Sequence, residues 1–377
     1  MKHRFATSFV AAALATSAGC ALLAGVDGER HLDDAPTTSS SSSSSTSSSS
    51  SSGAGGSDAA VCSPVGPPPP PSSVNGGGAT VLTFALHAID IGGPNKKVGF
   101  DLDGECTCPG KTACKEPSWS KADHCDGPDG RDNGTGNAFA TINQLAGGGP
   151  ISSIALSQQA DSGAWSLLIK ISDYNDGDDD DQVEVAVYAT PGLGAKPAWN
   201  GADAWPVLPS ALADGTTIEQ PIHKDPKAYV TKGVLVGHLP AITVVFLGGG
   251  AHLQVDLTAV VFSATLEKKA GLGTYLTAGT LAGFWTIPAL FQGLSGLRTS
   301  GNTFYCTDNP IYGALKPALC DEIDLSTTGK STADCDALSF GVGFNASPVL
   351  LGVVQDSPAL AGGCPAATDP TTDDCSK

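Results

Sequence analysis

The chain is poor in basic residues. Its 377 residues include 20 lysines and arginines against 38 aspartates and glutamates, so the formal net charge is −18. A chain this acidic is repelled by the phosphates of nucleic acids and has little electrostatic attraction for an anionic lipid surface. We therefore expect no nucleic-acid partner.

The chain also lacks the short motifs of common hydrolases. It contains no G-x-S-x-G nucleophile elbow and no H-E-x-x-H zinc motif. Histidines are few and scattered, with His87 and His124 among them, and carboxylates are too numerous for a catalytic pair to be chosen. We expect a binding or structural module rather than an enzyme. The alternative is a secreted β-sandwich hydrolase that acts on polysaccharide.

The first 19 residues have the pattern of a secretory signal peptide. A basic start, MKHRF, precedes the apolar stretch ATSFVAAALATSAG, which ends before Cys20. The sequence TSAGC resembles a bacterial lipobox, with Ser17 in place of the usual leucine. This resemblance implies that Cys20 carries lipid and anchors the mature protein at the outer membrane or cell surface. Cleavage nearby with free secretion is the alternative.

A low-complexity tether follows the anchor segment 20–32. The nearly pure serine run 37–57 cannot bury apolar surface, and the proline run GPPPPPSS is typical of a stiff polyproline II spacer. We therefore predict that residues 33–78 are a disordered tether between a lipid and a folded body.

The remaining ten cysteines form an even set, which in an exported chain indicates disulfides. Their pairing does not follow from the sequence. Zinc is the alternative for the group Cys106, Cys108, Cys114, His124 and Cys125, although its spacing lacks the paired C-x2-C knuckles. The predicted disulfide cysteines are Cys62, Cys106, Cys108, Cys114, Cys125, Cys306, Cys320, Cys335, Cys364 and Cys375.

The body from residue 79 is rich in alternating, β-branched stretches separated by glycine and asparagine turns. Helical patterns are short and peripheral, and no regular β-α alternation occurs. The sequence predicts a mainly β fold over 79–355: one large antiparallel β-sandwich, jelly-roll-like, stapled by disulfides and followed by a C-terminal tail, 356–377. The predicted strands include ATVLTFALHAIDIG, WSLLIKISDY, QVEVAVYAT, AITVVFL and LQVDLTAVVFSATL.

Two acidic groups are candidate calcium sites, because calcium takes six to eight oxygen ligands. In the first, NDGDDDD joins two strand-like stretches, and the EF-hand positions are out of register; a plain hairpin turn is the alternative. In the second, FDLDG places two carboxylates on one strand face, and CDGPDGRDN resembles the calcium loops of thrombospondin-type repeats; turn-capping aspartates are the alternative. The candidate ligands are Asp173, Asp176, Asp178 and Asp180, and Asp101, Asp103, Asp126, Asp129 and Asp132.

Trp199 and Trp205 lie in the loop KPAWNGADAWPVLP and are candidates for stacking on a carbohydrate ligand. The alternative is that they cover one end of the core. Another surface protein is the other partner that we consider.

Four stretches follow the lipobox and the serine tether in the chain. They are VGFDLDGECTC, CDGPDGRDN, ISDYNDGDDDDQVEVAVY and CDALSFGVGFNASPVLLGVV. Together they resemble a group of uncharacterised exported proteins of myxobacteria, over roughly residues 80 to 355. The resemblance implies export and a single folded domain, and it assigns no catalytic residue.

Overall fold

The computed structural model describes most of the chain beyond its N-terminal region. The chain divides into two units, Met1–Ser57 and Asp58–Lys377, and the fold belongs to the second. The predicted signal peptide, Cys20, the serine run, Cys62 and Cys108 lie outside the described residues. The described residues are 64–73, 76–93, 97–107, 112–121, 124–127, 129–146, 151–248, 251–298, 303–357 and 362–376.

The described part contains ten strands and four short helices. In chain order they are β1 Thr80–Asp90, α1 Gly134–Ala146, α2 Ser153–Asp161, β2 Leu167–Tyr174, β3 Asp180–Ala189, β4 Ala204–Val207, β5 His223–Thr231, β6 Val234–Gly248, β7 Ala251–Lys269, β8 Gly273–Thr286, α3 Ile287–Gly296, α4 Pro310–Cys320, β9 Ala337–Pro348 and β10 Leu350–Val354. None of these helices is long and apolar enough to cross a membrane.

Eight strands form one sheet in the order β1-β2-β3-β5-β6-β7-β8-β9, and every neighbouring pair is antiparallel. The sheet closes on itself because β9 also pairs with β1. β4 and β10 form a separate parallel pair. The predicted mainly β, antiparallel fold with short helices is confirmed. The hydrogen-bond order refines the predicted sandwich into a closed sheet, which leaves no strand edge unpaired.

Strands β1 to β3 bury both of their faces. In β2, Leu167, Ile169 and Ile171 pack in the main core, whereas Leu168 packs in a second core on the opposite face. Successive side chains of a strand point to opposite faces, so each face needs its own cover. α1, α2 and the interior of the closed sheet cover one face, and β4 with β10 cover the other.

Glycines inside β8 and β9 allow close approaches. A Cβ atom at Gly279 would lie 2.5 Å from the Phe344 ring, and a Cβ atom at Gly341 would collide with the Val98 carbonyl oxygen. A larger side chain is excluded at both positions. The need for glycine at these positions explains why the sequence did not predict β8 and β9, since glycine interrupts the alternating pattern that is typical of a strand.

Disulfides fasten the loops and the C-terminal end to the body. Three are resolved with both partners: Cys114–Cys335, Cys306–Cys364 and Cys320–Cys375. Cys106 and Cys125 are also disulfide-bonded. The predicted tail is therefore tied back to the body by Cys364 and Cys375. The bonds are typical of an oxidising, extracellular environment.

The proline-rich end of the predicted tether 33–78 is ordered against the body, so that part of the prediction is wrong. The Asp101 backbone N–H donates to the Val65 carbonyl oxygen at 2.9 Å. The Tyr229 hydroxyl donates to the Pro68 carbonyl oxygen at 2.6 Å. A proline run has no internal hydrogen bonds, so its carbonyl oxygens are free to accept from a neighbouring surface.

Candidate metal centre

An acidic cluster forms where the loop after Phe100 meets the residues before α1. The Asp132 N–H donates to the Phe100 carbonyl oxygen at 3.0 Å, and the Leu102 N–H donates to Asp132 Oδ2 at 2.7 Å. These two bonds hold the DLDG turn against the start of α1. They bring Asp101 and Asp103 next to Asp132, although the sequence separates them widely.

The three carboxylates converge. Asp101, Asp103 and Asp132 each offer an oxygen, and these oxygens all lie within 4.8 Å of one another. Asp101 Oδ1 accepts from the Gly104 N–H at 2.6 Å, and Asp103 Oδ1 accepts from the Glu105 N–H at 2.7 Å. Their Oδ2 atoms are shielded from solvent and accept no bond from a backbone or amide donor in the described ranges, and the carboxyl groups of Asp101 and Asp103 contact each other.

Two carboxyl groups of the cluster, Asp132 and Asp103, have a raised pKa. Burial, reinforced by the neighbouring carboxylates of Asp324 and Asp103, raises the pKa of Asp132 to about 10. Burial, with the neighbouring Asp126 and Asp101, raises the pKa of Asp103 to about 7. Carboxylates crowded in this way are neutral at neutral pH or are compensated by a cation. A bound cation would favour their ionised forms.

The other two predicted ligands of this group differ in position. Asp126 accepts from the Thr107 N–H and from the Thr107 hydroxyl, both at 2.6 Å, and it contacts Asp132. Asp129 is exposed, and its Oδ2 lies 3.7 Å from Arg131 Nε. Asp126 therefore borders the cluster, whereas Asp129 points away from it.

An acidic cavity adjoins the cluster. Its volume is about 190 Å³, and Asp126 and Asp132 line it together with His124, Glu322 and Asp324. Asp324 accepts from the Ser339 N–H at 2.7 Å and from its hydroxyl at 2.5 Å. Burial raises the pKa of both Glu322 and Asp324.

His124 is held at the wall of this cavity. Its Nδ1 lies 3.0 Å from Glu116 Oε1, and its Nε2 contacts the Asp321 carbonyl oxygen. Burial acts to lower the pKa of His124, but the contacts with Glu116 and Asp321 outweigh it and raise the pKa. Both ring nitrogens are thus engaged, which leaves none for a metal ion.

The cysteines near this site do not support zinc. Cys114 is bonded to Cys335, and Cys106 and Cys125 are also in disulfides. A sulfur in a disulfide is not a thiolate, and zinc binds the thiolate. The alternative zinc interpretation is therefore wrong for these residues.

The loop between β2 and β3 is a hairpin turn, as the simpler interpretation predicts. Asp180 is buried and accepts from the Asn175 N–H at 2.7 Å and the Gln182 N–H at 3.0 Å. Asp176 Oδ1 lies 3.0 Å from Lys268 Nζ. These carboxylates are occupied in organising the turn.

The four predicted calcium ligands of that turn, Asp173, Asp176, Asp178 and Asp180, do not converge on a common point. Over the described ranges, only the Asp101 cluster brings three such ligand atoms together. Asp173, near the end of β2, and Asp176, in the turn, adopt left-handed backbone with φ of 59° and 63°. Aspartate tolerates this conformation in tight turns, which explains its abundance here.

The two tryptophans have different surroundings. Trp205 is 0% exposed and belongs to the second core, so its indole faces are not available to a sugar. The prediction of ligand binding is wrong for Trp205, because its indole packs in the second core with Leu168 and Tyr188. Trp199 is partly exposed and packs on the His87 ring, with ring centroids 4.8 Å apart.

The sequence did not identify the buried acids Glu322 and Asp324 as part of a site. They follow Cys320 at the end of α4, in the segment 321–336 that connects α4 to β9, and nothing in the local pattern marks them as members of a site. No protein-family model matches the chain, and neither a curated protein nor a solved structure with detectable similarity to it was found.

Proposed function

We propose that this chain is an exported lipoprotein whose β domain is a calcium-stabilised binding or structural module. Cys20 carries the lipid, and the serine run separates the membrane from the body. The signal-like N-terminus and the lipobox-like TSAGC support export, and the disulfides are consistent with an oxidising compartment. The lipid on Cys20 anchors the protein to the membrane. The partner that the β domain binds is a surface protein or a carbohydrate.

The observation that carries the calcium part is the geometry of Asp101, Asp103 and Asp132. Three carboxylate oxygens lie within 4.8 Å of one another, and two shielded oxygens have no backbone or amide donor among the described groups. Calcium prefers carboxylate and carbonyl oxygens and tolerates irregular geometry. Lys97 lines the adjoining cavity, donates to the Asn133 carbonyl oxygen, and its charge opposes the raised pKa of Glu322 and Asp324.

Calcium titration with thermal unfolding tests this proposal. A ligand at a hundred times its dissociation constant stabilises the folded state by about 2.7 kcal/mol, which raises Tm by roughly 5 °C for a domain of this size. We expect this rise in the wild-type protein and its loss in Asp103→Asn. Asp129→Asn is the matched control, because Asp129 lies in the same region but points away, and it should keep the response. An unchanged Tm in the wild-type protein with calcium and with chelator would disprove the calcium site.

Lipid attachment is tested separately in cells. We expect incorporation of labelled fatty acid into the wild-type chain and none into Cys20→Ser, and the mature N-terminus should be residue 20 by mass spectrometry. A mature chain that begins elsewhere and carries no lipid would leave a freely secreted protein.

The binding module is favoured over a polysaccharide hydrolase. The acidic cavity has the carboxyl groups that such an enzyme needs, but its volume of about 190 Å³ is below the range of roughly 300–1,000 Å³ typical of ligand pockets. The loss of Trp205 as a stacking surface also removes half of the predicted sugar platform. A glycan array probed with and without calcium distinguishes carbohydrate from protein partners.

A further inference from the structure

His87 lies at an irregular position of β1. Leu86 pairs with Ala346 of β9 and Ala88 pairs with Asn345, so His87 is the extra residue of a β-bulge. Bulges re-aim a side chain and are common beside active sites. Here the bulge directs the His87 ring toward the neighbouring strand.

The ring meets a serine on that strand. His87 Nε2 lies 3.0 Å from Ser347 Oγ, which is the distance of a hydrogen bond between a base and a hydroxyl nucleophile. Ser347 is 3% exposed, whereas the His87 side chain is 27% exposed. Solvent therefore reaches this pair from the histidine side.

A carboxylate lies on the other side of the ring. Asp161, the last residue of α2, places its Oδ1 3.8 Å from His87 Nδ1. Carboxylate, imidazole and hydroxyl thus follow one another in the order Asp161, His87, Ser347. The carboxylate distance is longer than a hydrogen bond, and catalytic contacts of this kind are often looser before substrate binds.

The position of Asp161 follows from the way α2 docks on β1. Ser153 Oγ accepts from the Ile91 N–H at 3.1 Å, and one turn later Ser157 Oγ accepts from the Ile89 N–H at 2.9 Å. Four helix residues advance about 6 Å and two strand residues advance about 6.6 Å, so the two spacings nearly match. Asp161 comes one further turn along α2.

We propose that Ser347 and His87 form an acyl-transfer site for carboxylic esters, with Asp161 as the residue that positions the base. Ser347 Oγ attacks the ester carbonyl carbon while His87 Nε2 takes the hydroxyl proton. His87 returns that proton to the alcohol that leaves, and an acyl-serine remains. Water then attacks the acyl carbon and gives a proton to His87. The bond between the acyl carbon and Ser347 Oγ breaks, His87 passes the proton from water to Ser347 Oγ, and the carboxylic acid leaves. This activity goes beyond the proposed binding function and shares no residue with the cation site.

The surroundings favour an ester with an apolar group next to the carbonyl. The indole of Trp199 packs on the His87 ring and offers an apolar wall. Trp199 holds a left-handed backbone with φ of 54°, and Asp203 Oδ2 fixes it by accepting its N–H at 2.7 Å. Strained backbone of this kind clusters at functional sites. Burial lowers the pKa of His87, the charge of Asp161 opposes this, and the charge of Lys269 reinforces it, which keeps the imidazole neutral as a base requires.

A fluorophosphonate probe, which phosphonylates activated serines with loss of fluoride, tests this proposal on the full-length protein. We expect one labelled peptide, with the label on Ser347, and parallel hydrolysis of p-nitrophenyl butyrate. Ser347→Ala should abolish both, and His87→Gln should slow labelling by about 10²-fold or more, the usual contribution of a general base. The matched control is Ser166→Ala, because Ser166 is also 3% exposed but donates to the Leu86 carbonyl oxygen. It should label at the wild-type rate.

Asp161→Asn distinguishes positioning from a purely structural role. The negative charge of Asp161 raises the pKa of His87, so its loss should shift the pH midpoint of labelling to lower pH as well as slow the reaction. A wild-type protein in which Ser347 stays unlabelled, or equal labelling rates in the wild-type protein and His87→Gln, would overturn the proposal. Site mapping on the wild-type protein decides the matter even where a variant fails to fold.

Discussion

Replacing Asp132 by asparagine should stabilise the protein in chelator and destabilise it in calcium. Asp132 is 2% exposed, accepts from the Leu102 N–H and contacts Asp126. An asparagine amide has the same shape, and it can accept from Leu102 and donate to Asp126 as the protonated acid does. Asp132→Asn therefore imitates the neutral acid and removes a cation ligand.

The size of the effect follows from proton linkage. Burial raises the pKa of Asp132 to about 10, against about 3.9 in the unfolded chain. A carboxyl group whose pKa is higher in the folded than in the unfolded state stabilises the folded state. This stabilisation is complete when the pH is below the pKa of the unfolded state, and it is lost as the pH rises toward the pKa of the folded state. Between pH 5 and pH 7 the folded state keeps a proton that the unfolded state has released. Stability then falls by about 1.4 kcal/mol per pH unit, or about 2.7 kcal/mol in all.

Urea unfolding of both proteins in chelator at pH 5, 6 and 7 measures this effect. We expect the stability of Asp132→Asn, relative to the wild-type protein, to rise by about 2.7 kcal/mol from pH 5 to pH 7. In excess calcium at pH 7 the order should reverse, because the wild-type carboxylate is then a ligand. If the free energy of unfolding changes with pH in the same way for the two proteins in chelator, the argument that burial keeps the proton on Asp132 is refuted. Asp129→Asn should follow the wild-type protein throughout.

Three further predictions concern the framework. Replacing both Cys114 and Cys335 by serine opens a loop with a sequence separation of 221, and it should lower the free energy of unfolding by up to about 5 kcal/mol in denaturant titrations; an unchanged midpoint would contradict this. Gly341→Ala should destabilise by about 3 kcal/mol or more, because its Cβ collides with backbone, whereas Gly313→Ala, in an open position of α4, should stabilise by about 0.5–1 kcal/mol. Trp205→Ala should cost about 3–5 kcal/mol in calorimetry, as for a buried core indole; a loss below 1 kcal/mol would mean that Trp205 is not a core residue.

The sequence predicted the local elements whose side chains alternate cleanly. The stretches WSLLIKISDY and QVEVAVYAT became β2 and β3, with the aspartate-rich turn between them. The same reasoning missed β8 and β9. Glycine is required in them by rings and backbone that approach from elsewhere in the chain, such as Phe344 at Gly279.

The candidate cation site was predicted in part. The sequence marked Asp101 and Asp103 by placing them on one face of a strand, but residues 101–104 form a bend and not a strand, so that reason is wrong. The CDGPDGRDN stretch marked Asp132 as a candidate. The sequence alone could not separate Asp132, which enters the cluster, from Asp129, which faces solvent. The two positions differ because the DLDG turn packs against Asp132 and not against Asp129, and this contact joins parts of the chain that are far apart in sequence.

Composition and local pattern by themselves determined the mainly β class, the even set of ten cysteines after Cys20 and the aspartate-rich turn, because these depend on neighbours along the chain. Only the tertiary structure decided which cysteines pair, that the sheet closes, and that Trp205 is buried. It also brought Ser347 and Asp161 to opposite sides of His87. Contacts between residues far apart in the chain arise from the packing of whole strands and helices, and a stretch of sequence does not contain that information.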